Sequence, residues 1–179
     1  MYGRRGYSRS YRRGYSRSVK PVKYSNETYN SNITYTYDGN TPGTKYITLI
    51  DAISQTGMRK VKNFTLSITQ STVHNSSGAT KAASSFVYAL IYLPDGVSVT
   101  SLNVGSGSNS VSLYEPNQNV IMSGVCSSDN GQLRLSTRLA RNLNSGDKIL
   151  LLFRPSNTAP GTSGDYVNIS SICNYSISF

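Results

Sequence analysis

The stretch VKNFTLSIT, residues 61–69, sets Phe64, Leu66 and Ile68 at alternate positions with Thr65, Ser67 and Thr69 between them. Only an extended chain gives every second residue a common face, so this period of two marks a strand with one apolar side. The closing stretch YVNISSICNYSISF (166–179) repeats the pattern. It puts Val167, Ile169, Cys173, Tyr175, Ile177 and Phe179 on one face and Asn168, Ser170, Asn174 and Ser176 on the other. SFVYALIYL (85–93) is apolar at almost every position, as expected of a central strand buried on both sides. TKYITLIDAI (44–53), GVSVTSLNV (96–104), NVIMSGVC (119–126), LRLSTRLARNL (133–143) and DKILLLF (147–153) complete a set of strand candidates. In LRLSTRLARNL, Arg134 and Arg138 share one face, and Leu133, Leu135 and Leu139 are expected on the opposite, buried face. NITYTY, within 32–37, is a candidate for a short first strand. PDG, GSGS, DNG and NSGD supply turn chemistry between strands, and DGNTPG (38–43) is a strong turn signal before the all-β pattern that starts at Thr44. GATKAASS is the sole helical candidate. Strands with almost no helix in a body of this size predict an all-β fold. The first choice is a single eight-stranded jelly roll of two packed antiparallel sheets, the second an immunoglobulin-like sandwich.

The first residues obey a different chemistry. MYGRRGYSRSYRRGYSRSVK contains the heptad RRGYSRS twice, at Arg4–Ser10 and Arg12–Ser18. Residues 1–25 hold eight Lys or Arg and no acid, whereas the other 154 residues hold ten basic and eight acidic ones. The net charge of +10 is therefore a +8 arm on a body of only +2. Like charges repel, and a stretch with almost no apolar surface gains nothing by folding, so the arm is expected to be disordered when free. Residues 26–43 read as a linker and 44–179 as the jelly-roll domain. The arm has no apolar stretch of a secretory signal, and Gly3, Gly6 and Gly14 oppose an amphipathic helix. No apolar run approaches the length of a membrane span, so no membrane insertion is expected.

Catalytic chemistry is hard to assemble from these residues. The one histidine, His74, has no second His, Cys or Glu at ligand spacing. The eight acids are scattered singly, and Asp38, Asp95, Asp129 and Asp147 each sit beside glycine in a turn motif. The Gly-rich NVGSGSNS lacks the lysine and the strand-to-helix context of a phosphate loop. No enzyme activity, metal or cofactor is expected. Cys126 and Cys173 are expected to be buried free thiols. Six Asn-x-Ser/Thr sequons occur among 16 Asn and 45 Ser or Thr. About four arise by chance, so they carry no signal of glycosylation.

Nucleic acid is the partner that the arm suits. Arg4, Arg5, Arg9, Arg12, Arg13, Arg17, Lys20 and Lys23 offer phosphate contacts, the arginines bidentately. Tyr7, Tyr11 and Tyr15 are spaced among them as rings on which unpaired bases stack. In the body, RKVK groups Arg59, Lys60 and Lys62 at the mouth of the second strand, and Arg134 and Arg138 form a second basic group; both are either solvated charge or a nucleic-acid-facing or subunit-facing patch that continues the arm.

A basic Tyr/Arg arm, YGRRGYSRSYRRGYSR, followed by QLRLSTRLARNL…DKILLLF and the closing YVNISSICNYSISF, resembles the capsid proteins of small circular single-stranded DNA viruses, the circovirus and nanovirus group. The resemblance implies a jelly roll whose subunits build a small icosahedral T=1 shell of about sixty copies, with the arms inside on single-stranded DNA. It also implies that the arm engages the host nuclear import machinery, with the protein in the virion and, during assembly, in the host nucleus. Sixty such arms would carry about 480 positive charges, of the order that a confined genome needs. Each would reach at most about 85 Å. A coat protein of a small RNA or satellite virus would share arm and fold. A secreted β-sandwich binding module and a cellular single-strand-binding protein are further alternatives.

Overall fold

The computed structural model of the chain describes residues 22–37, 44–54, 57–73, 85–98, 120–127, 132–155 and 165–179. Among these residues there are nine strands and no helix: β1 (Ser25–Tyr37), β2 (Lys45–Ile50), β3 (Arg59–Val73), β4 (Ser85–Leu93), β5 (Val120–Ser127), β6 (Gln132–Thr137), β7 (Arg141–Leu143), β8 (Lys148–Pro155) and β9 (Asp165–Ser178). They form a five-stranded sheet of order β1-β9-β3-β6, with β7 also on β3, and a four-stranded sheet of order β2-β8-β4-β5. All pairs are antiparallel. The first strand pairs with the last, the second with the last but one, the third with β6 and β7, and the fourth with the fifth. This nesting is a long hairpin rolled upon itself, and it makes the fold a jelly roll.

The alternating stretches bury the residues that their period selects. Phe64, Leu66 and Ile68 of β3 meet Val167, Ile169 and Cys173 of β9 in the space between the sheets, with Phe86, Tyr88 and Leu90 of β4 and Leu151 and Phe153 of β8 opposite. Each large side chain so enclosed contributes about 1.5–3 kcal/mol. The other side of β4 and β8 is also apolar and covered: Val87, Ala89, Ile91, Leu93, Leu150 and Leu152 form a second cluster. Central burial of 85–93 on both faces is thus as the sequence predicts.

One irregularity sets the phase of β3. The register between β3 and β9 slips between Lys62 and Thr65, where Asn63 adopts a φ of 57°. Asn tolerates this left-handed conformation better than most residues, and the extra residue of the bulge reverses which parity faces inward. Arg59 and Val61 point into the core before it, and Phe64, Leu66 and Ile68 after it.

Several expectations are corrected. The stretch read as a linker supplies most of β1, which pairs with β9 along its whole length, from Ser25↔Ile177 to Tyr37↔Asp165. Its polar Asn and Thr residues lie on the outer side of the sheet and need no apolar period there. The single strand expected over 133–143 is broken into β6 and β7, so Arg138 lies outside any strand. Leu139 is 48% exposed rather than buried. Phe179 follows the end of β9 and is 84% exposed, whereas Ser171 takes a buried place on the inner face and bonds Ser31 across the pair at 2.7 Å. Of 96–104 only 96–98 are described, and they belong to the turn after β4, closed by Val97 N donating to Pro94 O. The helical candidate GATKAASS lies outside the described residues except for Ser85, which opens β4; DGNTPG, GSGS and the Asp-Asn-Gly turn lie outside them altogether.

Candidate nucleic-acid interface

The outer face of the five-stranded sheet is built mainly from the polar halves of its strands, with Ile172 of β9 exposed opposite Ser67. On β1 and β9 it presents Asn26, Thr28 and Thr34 against Ser176, Asn174 and Asn168. These pairs are hydrogen-bonded across the strands: Thr28 Oγ1 donates to Asn174 Oδ1 at 2.6 Å, Thr34 Oγ1 to Asn168 Oδ1 at 2.7 Å, and Ser176 Oγ to Asn26 Oδ1 at 2.8 Å. On β3 the same face carries Lys60, Lys62, Thr65, Ser67 and Thr69, and Arg134 of β6 pairs with Ser67. Glu27 alternates with Asn26 and Thr28 and so belongs to the other side. Among the described side chains this face holds cations and no carboxylate.

The cations gather where β1 begins. Lys62 is paired with Ser176, itself opposite Asn26, which brings Lys62 to the start of the chain's first strand. Its Nζ sits 3.7 Å from the centre of the Tyr24 ring, an intimate cation–π contact. Lys60 pairs with Ser178 and Asn142 and is exposed, as is Lys23. Of the residues singled out in the sequence, the structure therefore brings Lys60 and Lys62 together on this face, and Lys23 lies in the segment just before β1. Arg59 goes elsewhere. It is 5% exposed, and its Nη2 donates to Asp51 O at 2.9 Å. Burial lowers its pKa, opposed by the negative charges of Asp147 and Asp51. This guanidinium braces the interior and is withdrawn from any phosphate. Arg4, Arg5, Arg9, Arg12, Arg13, Arg17, Lys20, Tyr7, Tyr11 and Tyr15 lie outside the described residues. Arg134, the basic residue singled out on the strand after 132, lies on this face, Arg138 lies outside any strand, and Tyr24 is a new member of the surface. Tyr24 was legible as a further tyrosine in the basic stretch, but its partner Lys62 is brought in only by the β1–β9–β3 pairing.

Beneath this surface a buried carboxylate ties the loops at the same end. Asp147, 3% exposed, accepts from Tyr92 Oη at 2.7 Å, Asn144 N at 2.7 Å and Asp95 N at 3.0 Å. Gly146 beside it has a φ of 85° and donates its N–H to Ile53 O at 3.1 Å; a Cβ there would collide with Asp95. The turn role expected for Asp147 is present, together with a buried anchoring role. Cys126 and Cys173 are buried and free, as expected, and burial pushes the Cys173 thiol up to about 12. His74 lies outside the described residues, and among those described no group of His, Cys, Asp and Glu is arranged to hold a metal.

No family model matches the chain, and no curated protein does. Among solved structures the chain is similar to one described as Desmodium yellow mottle tymovirus. The identity is 15%, with 98% of this chain and 96% of that chain covered and a TM-score of 0.26. A likeness that weak carries no argument about fold or function, which rest on the strand pairing and on the surface just described.

Proposed function

We propose that the chain is a structural coat subunit that assembles with about sixty copies of itself into a closed shell and packages single-stranded nucleic acid, DNA in particular, through its basic arm. The observation that carries this reading is the place where the arm joins the body. Residues 1–25 hold eight cations and no acid, and they run into β1 at the edge of a cationic sheet face that has no carboxylate among its described side chains. A near-neutral body suits close packing of many copies, because it adds little repulsion between neighbours. Tyr46 on edge strand β2 and Val125 on edge strand β5 stand exposed on the outer side of the four-stranded sheet, where apolar contacts between copies would cover them. The same arm, in this reading, is the address recognised by nuclear import receptors, and no chemical step is assigned to the protein.

The test is to express the full chain and image it by negative-stain microscopy. Closed particles of uniform size, holding nuclease-resistant single-stranded nucleic acid, are expected. A monodisperse monomer at native concentration overturns the reading. Digestion of the packaged strand by deoxyribonuclease or by ribonuclease separates a DNA virus coat from an RNA virus coat, the second reading that the same fold and arm allow.

A further inference from the structure

We propose that the outer face of the five-stranded sheet is itself a binding surface for single-stranded nucleic acid, with Lys60, Lys62 and Arg134 meeting phosphates, Tyr24 offering a ring for unpaired bases, and the exposed Phe179, just past the end of β9, offering a second. The inference deepens the packaging reading and rests on it. It adds a second contact zone, on the folded body.

The hydrogen-bond economy of the face points this way. In each of the three cross-strand pairs the hydroxyl donates and the carboxamide oxygen accepts. Each of the carboxamide oxygens of Asn26, Asn168 and Asn174 thereby engages one lone pair within the face, and their NH2 groups are donors. A face with donors, cations and no described carboxylate is complementary to an anion. Lys62 and the Arg134 position are separated along β3 by the run from Lys62 to Ser67, about 15 Å. The ligand that matches is therefore an extended polyanion, and one small anion would not span it. Stacking groups stand at the end where the arm enters. Tyr24 carries Lys62 against its ring, and Phe179 is almost fully exposed one residue past the Ser178–Lys60 pair. Rings accept bases only when these are unpaired, and a broad sheet face does not enter a duplex groove as a helix does. Single strands of any sequence are the expected occupants.

The experiment measures binding of the full chain to a 30-nucleotide oligo-dT, to oligo-rU and to a duplex of equal length, each over a salt series. Lys60→Gln with Lys62→Gln should reduce the slope of log K against log salt by about 1.4 for single strands. Tyr24→Ala and Phe179→Ala should each weaken oligo-dT binding by between about 5-fold and 150-fold, and duplex binding less. All four side chains lie at or near the surface, so unchanged melting temperatures certify the fold. Photo-crosslinking of the unaltered chain to bromodeoxyuridine oligomers adds a readout that needs no variant, with adducts expected on the peptides of Tyr24 and Phe179. If the variants bind as the parent does and adducts are confined to residues 1–21, this inference is overturned while packaging by the arm stands. If the parent itself binds no single strand, both fall.

Discussion

Replacing Asp147 should loosen the end of the sandwich from which the arm departs. Its carboxylate receives three hydrogen bonds, from the Tyr92 hydroxyl and the backbone N–H groups of Asn144 and Asp95. These partners come from the end of β4, the turn after it and the turn before β8, so one side chain joins three segments. Asp147→Ala leaves all three donors without an acceptor in a site that is nearly closed to water. An orphaned donor costs about 1–3 kcal/mol, and some hydration at a loop end favours the low part of that range, giving about 3–5 kcal/mol in total. For a body of this size 1 kcal/mol moves the melting midpoint by roughly 2–4 °C, so a loss of about 6–20 °C is expected. Asp147→Asn keeps one carboxamide oxygen for the donors at Oδ2 and gives up the Asp95 bond and the charge near Arg59, so it should lose about half as much. Thermal unfolding by far-ultraviolet circular dichroism, at one protein concentration because assembly raises apparent stability, measures both. An alanine variant that melts within about 3 °C of the parent would refute the reasoning, and an asparagine variant as damaged as alanine would assign the effect to charge instead of hydrogen-bond count.

Tyr35→Phe should cost about 1.5–3 kcal/mol in urea unfolding, because the Tyr35 hydroxyl donates to Phe153 O and accepts from Lys45 N, joining β1 to the other sheet; a change below about 0.5 kcal/mol would contradict this. The contribution of Cys173 to stability should be fully present below about pH 9 and be lost as pH rises toward 12, since an unfolded chain releases its proton near the ordinary value of 9.0 while the folded chain holds it to about 12. Cys173→Ala should remove that pH dependence, and iodoacetamide should label either cysteine only in denaturant; labelling of the native protein would show a thiol within reach of solvent. Gly124→Ala should cost about 1–3 kcal/mol, because its Cβ would lie 2.5 Å from Oη of the buried Tyr88. Tyr88→Phe should recover part of that loss in a double-mutant cycle, and strict additivity would count against the clash.

The strands of the core were legible because burial on one face writes itself as period two. Phe64, Leu66 and Ile68, and Val167, Ile169 and Cys173, occupy the interior that their spacing assigns. The PDG and NSGD turns were legible from glycine, which takes the positive φ at Gly96 and Gly146. Of β1 only the NITYTY half was legible, because the polar outer residues of its first half are Asn and Thr, which also compose loops, and its register comes from pairing with β9 at the far end of the chain. The break after Thr137 was hidden for the opposite reason. LRLSTRLARNL continues an acceptable alternation through Leu139, and nothing in it marks the point where pairing with β3 is interrupted.

The basic group RKVK shows why the site was only half legible. Spacing alone places Arg59, Lys60 and Lys62 together as charge at a strand mouth. Alternation sends Arg59 inward with Val61, and it does so only because the bulge at Asn63 lets Phe64 face inward as well. In an unbroken strand Arg59 and Val61 would share a face with Asn63 and Thr65, while Lys60 and Lys62 would lie with Phe64, Leu66 and Ile68, and two lysines would enter the core. The extra residue thus sorts three neighbouring cations. The guanidinium spreads its charge, and inside the sandwich end it rests on Asp51 O within the field of Asp147. Two ammonium groups remain outside beside Tyr24 and the start of the arm. A bulge costs β3 some of its ladder, and here it keeps a hydrophobic interior and a cationic exterior on the same fifteen residues.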